Sequence, residues 1–138
     1  IVFGFALAGG FLLLLWLLPK NASEVNEIPI GLENYLSAQR FLNSQECFAF
    51  QDKETNIVYS GIIDLSKFSQ NNLNKCYNAV NTKTKAYQFT LNYNNKKNTI
   101  STKNWEGLLN EAKTEHVLVG DNGNIQKAEI FIEVQDAK

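Results

Sequence analysis

From Ile1 to Leu18 the chain reads IVFGFALAGGFLLLLWLL, without one charged side chain. This run constrains the fold more than any other feature. As a helix it is roughly 27 Å long at about 1.5 Å per residue, close to the hydrocarbon thickness of a bilayer. A water-soluble domain rarely carries such a run at its tip, because a terminus is the hardest place to cover on all sides. The run has no basic residues ahead of it and no small-residue cleavage site behind it, so it does not read as a secretory signal. Gly4, Gly9 and Gly10 weaken a helix in water by up to roughly 1 kcal/mol each. Membranes and close helix packing tolerate them, and with Ala6 and Ala8 they let neighbouring helices approach closely.

Pro19 stops that helix, and the polar residues from there to Pro29 read as a linker. The expected organisation is therefore an apolar helix over 1–18, a linker over 19–29 and one globular head over 30–138. Formal net charge is −1, and the lysines are scattered along the sequence, so no nucleic-acid partner is expected. The head holds two cysteines, Cys47 and Cys76. On the oxidising side of a membrane they pair as a disulfide, closing a loop of about 30 residues and adding roughly 3 to 4 kcal/mol; the alternative is two buried thiols. With His116 the only histidine and no C-x-x-C present, no zinc site and no cofactor is expected. Asn21-Ala22-Ser23 is an N-glycosylation sequon just beyond the apolar run.

Within the head, Leu32, Tyr35, Leu36, Phe41 and Leu42 recur at helical spacing, which predicts a helix from Ile30 to about Gln45 with that face buried on a sheet. Cys47 to Phe50 and Ile57 to Ile63 read as a hairpin around the turn Asp52 to Asn56, with Gly61 at a bulge. Asp64 caps a turn through Phe68, and Ser69 to Tyr77 reads as a brief helix carrying Cys76. Tyr87, Phe89, Leu91 and Tyr93 alternate with polar residues as a half-buried strand does. Asn94 to Lys97 turns that strand back into Thr99 to Thr102, and Trp105 to Leu109 is expected to cover a core edge. Val117 to Val119 and Ala128 to Val134 form a last hairpin around Gly120 to Asn124. The expected fold class is α+β: the N-terminal apolar helix, then a head with one amphipathic helix and a mainly antiparallel sheet.

No pattern signs an enzyme. Asp121-Asn122-Gly123-Asn124 lacks the acidic spacing and distal Glu of a calcium loop and suits a hairpin turn. His116 beside Glu115 has no Ser or Cys nucleophile motif near it, and reads as a surface histidine at a strand end. Asp52, Glu54 and Asp64 could pair as glycosidase acids, but each falls at a turn or cap and reads as a solvated turn acid. Phe48, Phe50, Tyr59, Tyr87, Phe89 and Tyr93 alternate as core-packing sheet residues do. The P-loop, Rossmann, G-x-S-x-G and H-E-x-x-H patterns are missing from the sequence.

An apolar N-terminal helix followed by a β-rich head resembles the type IV pilins, and in particular the archaeal filament subunits processed from class III signal peptides. The likeness covers Ile1 to Leu18 for the helix and, more loosely, Glu33 to Val134 for the head. It implies that a basic leader is removed ahead of Ile1, and that the helix anchors the subunit in the membrane before assembly. In the filament, Ile1, Val2, Phe3, Phe5, Leu7, Phe11, Leu12, Leu14, Leu15, Trp16 and Leu18 of many copies then form the core. The partner so implied is the chain itself, in a homopolymer, with heads outside the cell for adhesion or surface contact. Phe5 stands where many bacterial pilins carry an acidic residue, and Pro19 to Pro29 interrupts what is usually a continuous rod. The stretch CFAFQDKETNIVYSGIIDLSKF is also similar to archaeal membrane-anchored proteins, a likeness that brings no activity. The alternative is a single-pass anchored extracellular binding domain. A secreted hydrolase centred on His116 is a distant third.

Overall fold

The computed structural model describes residues 30–79, 84–109, 111–121 and 123–136. The chain divides between Ile30 and Gly31, and the sheet lies in the second unit, Gly31–Lys138. The elements run α1 (Ile30–Asn43), β1 (Ala49–Gln51), β2 (Val58–Asp64), α2 (Gln70–Cys76), β3 (Ala86–Tyr93), β4 (Lys96–Ser101), β5 (Glu111–Asp121) and β6 (Asn124–Gln135).

All six strands form one sheet in the order β1-β2-β5-β6-β3-β4, curved into a half-barrel. This corrects the α+β expectation. The described unit is mostly β, and its helices are two short pieces set against one face of a single sheet. The proposed helix over 1–18 lies outside the described residues. A second departure is the parallel pairing of β2 with β5, Ile62 opposite Leu118 and Asp64 opposite Gly120, reached through α2, β3 and β4. Parallel neighbours need such a long crossover, which no local sequence signal announces.

The core follows the alternation of the strands. Tyr87, Phe89 and Leu91 of β3, Ile130, Ile132 and Val134 of β6, Val117 and Val119 of β5, Ile63 of β2 and Ile100 of β4 are all buried in one cluster. Ala38, Phe41 and Leu42 of α1, Leu73 of α2, and Phe48 and Phe68 of the connections close over them. Phe41 is the hub, with ring centroids 5.0 Å from Tyr87, 5.0 Å from Phe89 and 5.3 Å from Tyr77. Tilted and edge-to-face rings at these spacings are the favourable arrangement of aromatic quadrupoles.

Local chemistry fixes the turns. Asn94 and Asn95 both have positive φ, 45° and 58°, which a two-residue type I′ hairpin requires and Asn tolerates. The turn is thus shorter than the expected Asn94 to Lys97, and β4 starts at Lys96. Between β1 and β2 the register shifts: Ala49 pairs with Ile63 but Phe50 pairs with Tyr59, leaving a bulge around Gly61 at φ 78°. Ser69 caps α2, its side chain accepting from the Asn72 amide at 3.3 Å. The sheet edges are blunted by the three-residue β1 at one end and the lysine-bearing β4 at the other.

Three further readings need correction. In α1, Leu32 and Leu36 are 47% and 51% exposed, because the helix turns Asn34, Ala38, Phe41 and Leu42 inward instead. Leu108 and Leu109, expected over a core edge, are exposed. β5 begins at Glu111, six residues before the apolar Val117 that first marks it in the sequence.

Candidate functional site

The two cysteines meet. Cys47, in the turn after α1, is joined to Cys76 at the end of α2, with Cα atoms 5.4 Å apart. Asn72 of α2 also donates its side-chain amide to the Cys47 carbonyl. The bridge forms one wall of a cleft of about 450 Å³ between α1 and the start of β3. Tyr77 and Tyr87 reach into this cleft. The Tyr77 hydroxyl donates to the Lys85 carbonyl at 2.7 Å, and the Lys85 ammonium contacts Glu33 at 3.2 Å and the Asn34 side-chain oxygen. Burial pushes the Tyr87 hydroxyl above the ordinary phenol value, and a hydrogen bond with Ser37 works in the opposite direction. A phenol held neutral beside the Lys85–Glu33 ion pair offers a hydrogen-bonding group. It supplies neither an activated nucleophile nor a base.

The three turn acids are brought to one place: Asp52, Glu54 and Asp64 line a second cleft together with Asp121. Asp64 Oδ1 accepts from the Ser66 amide at 2.9 Å and its hydroxyl at 2.6 Å. Asp52 Oδ1 accepts from the amides of Thr55 at 2.9 Å and Glu54 at 2.8 Å, and these bonds hold its carboxyl below the ordinary aspartate value. A glycosidase acid must be shifted upward to carry a proton at neutral pH, which is the opposite direction. Asp52 and Asp64 serve the turns they cap. Among the described residues no group of three or more His, Cys, Asp or Glu side chains could hold a metal ion.

His116 and Glu115 are separated by the pleat of β5. His116 points to the open face of the sheet, 86% exposed, with Nδ1 3.5 Å from Glu129 Oε1. Glu115 points under α1, where it accepts from Gln39 Nε2 at 2.7 Å and lies 3.3 Å from the Lys113 ammonium. Neighbouring strand residues on opposite faces cannot share a proton or a substrate. Of the six alternating aromatics, Phe48, Tyr87 and Phe89 are core. Phe50 and Tyr59 pair with each other at 6.2 Å, and Tyr59 is exposed. At the β5–β6 hairpin Asp121 stands opposite Asn124, with Gly123 at φ 86°.

With this geometry in view, the comparisons add no relative. No protein-family model, curated protein or solved structure matches this chain. Asn21 and the eleven proposed core residues between Ile1 and Leu18 lie outside the described residues. Among the described residues no helix is long and apolar enough to cross a membrane.

The sequence reading missed a polar seam between α1 and β5. Asn34 Nδ2 donates to Glu111 Oε2 at 2.7 Å, Gln39 binds Glu115, and the Lys113 ammonium sits 3.5 Å from the Tyr35 ring centroid. The available signal was the alternation Glu111, Lys113, Glu115 running on into Val117 and Val119, a strand pattern written partly in charges.

Proposed function

We propose that the chain is a subunit of a cell-surface helical filament of the type IV pilus kind, with residues 1–18 of many copies bundled as the core and the half-barrel heads as the shell. The observation that carries this reading is the combination of an uncharged 18-residue run with a disulfide-closed β head. Structural disulfides persist on the oxidising side of a membrane, which suits a head outside the cell. Burial of large apolar side chains at about 25 cal/mol per Å² supplies the association energy of the core without any charged pair. Identical contacts that do not close into a ring generate an open helix. Leu32 and Leu36, exposed on α1, offer the heads an apolar contact with neighbouring subunits. In this reading the protein is not an enzyme, needs no cofactor and has the membrane as its partner only before assembly.

The second reading, a single anchored head that binds an envelope partner, is favoured by the interruption from Pro19 to Pro29, whereas Phe5 suits either this reading or an archaeal-type filament. The two readings place different neighbours around the apolar run. A photo-crosslinking residue at Leu12, irradiated in intact cells, yields a ladder of subunit multimers in a filament. It yields lipid adducts and monomers in the single-anchor case.

A further inference from the structure

The pairing of β3 with β6 ends at Asn92 opposite Glu129, while β3 runs on to Tyr93 and β6 begins back at Asn124. The β3–β4 tip therefore parts from β6, and a groove of about 500 Å³ lies between them. Lys97 on the tip and Lys127 on β6 share the open face of the sheet beside this groove, and Lys96, paired with Tyr93, lines it from the other face. His116 stands at its floor in a cross-strand row of Lys97, Asn92, Glu129 and His116. Among the described residues, none of the three lysines has an ion-pair partner, and the lining holds one carboxylate, Glu129, 3.5 Å from His116 Nδ1. In a chain of net charge −1, the topology has thus brought Lys127 beside the adjacent Lys96 and Lys97. Such a cleft focuses a positive potential.

We propose that this groove binds an acidic polysaccharide, through its carboxylate or sulfate groups. Unpaired lysines meet the anions as point charges. Asn92, Asn94 and Asn95 add side-chain amides that both donate and accept, as sugar hydroxyls require. A nucleic acid fits less well, because base stacking needs open aromatic faces and the lining's tyrosine, Tyr93, is half-buried. The proposal rests on the head facing outward and does not require polymerisation.

The test uses the full chain as dissociated subunits in non-ionic detergent, so that absence of filaments and absence of glycan binding are read separately. Polygalacturonate and heparin oligosaccharides are the carboxylated and sulfated probes. Neutral dextran, a single-stranded oligonucleotide and phosphatidylserine vesicles are the comparisons. Either acidic glycan should bind more tightly than all three comparisons. Lys97→Glu with Lys127→Glu should weaken that binding at least about tenfold, while Lys53→Glu with Lys75→Glu, an equal charge change elsewhere, should alter it less than about twofold. All four lysines are exposed, and matching circular dichroism of both variants verifies the fold. Equal losses in the two variants, no glycan binding, or tighter binding of the oligonucleotide or the vesicles overturns the proposal.

Discussion

Gln39 Nε2 donates to Glu115 Oε2 at 2.7 Å, tying the middle of α1 to β5 through an amide and a carboxylate. The Glu115 side chain is 17% exposed, so loss of its donor leaves a carboxylate short of partners in a poorly solvated place. Gln39→Ala should cost roughly 1–3 kcal/mol in urea unfolding, whereas Gln39→Met with Glu115→Met should cost much less than the sum of the two single changes. Additive losses would show that the seam contributes no coupling.

The Cys47–Cys76 bridge links the turn after α1 to α2 across a sequence separation of 29. Constraining the unfolded chain over such a loop is worth about 3 to 4 kcal/mol. Replacing both cysteines by Ala should lower the thermal midpoint by at least about 10 °C, and reductant should shift the native protein but not the variant.

Asn95 holds φ 58° at the second central position of the β3–β4 turn. Gly adopts that region freely, and a β-branched side chain does so at a cost of about 1–2 kcal/mol. Asn95→Gly should keep or raise stability and Asn95→Val should lower it by about that amount, as read from urea midpoints. A Val variant as stable as the native chain would mean that the turn is not type I′ in solution.

Asp52 fixes the sign of one pH effect. Its carboxyl is held below the ordinary value of 3.8 by the Thr55 and Glu54 amides. A group depressed in the folded state adds stability that is present above its unfolded value and is lost as pH falls through the folded one. Asp52→Asn keeps a capping side chain but no titration, so its stability should fall less steeply than the native protein's below about pH 4. Parallel acid limbs in the two proteins would contradict this.

How much of the fold could be read from the residues depends on what each strand faces. β3 was legible because Tyr87, Phe89 and Leu91 meet the core in strict alternation. The first half of β5 was not, because its inward positions are Glu111, Lys113 and Glu115, which meet the polar side of α1. The same seam explains why the expected buried face of α1 holds at Phe41 and Leu42 but not at Leu32 and Leu36. Asn34 turns inward because Glu111 and Lys85 satisfy it, and Leu32 and Leu36 are left outside. The β2–β5 parallel contact joins segments separated by α2, β3 and β4, and no local pattern encodes it. The disulfide was legible because two cysteines allow one pairing. The lysine groove was not, since Lys127 comes beside Lys96 and Lys97 only through the β3–β4 and β3–β6 registers.

The central claim is that the apolar run gathers copies of the chain into a fibre. Negative-stain microscopy of the sheared surface fraction, with gold-labelled antibody against the head, tests it most directly. A filament subunit gives thin fibres labelled along their length. Label confined to membrane fragments, with no fibre carrying it, would contradict the account.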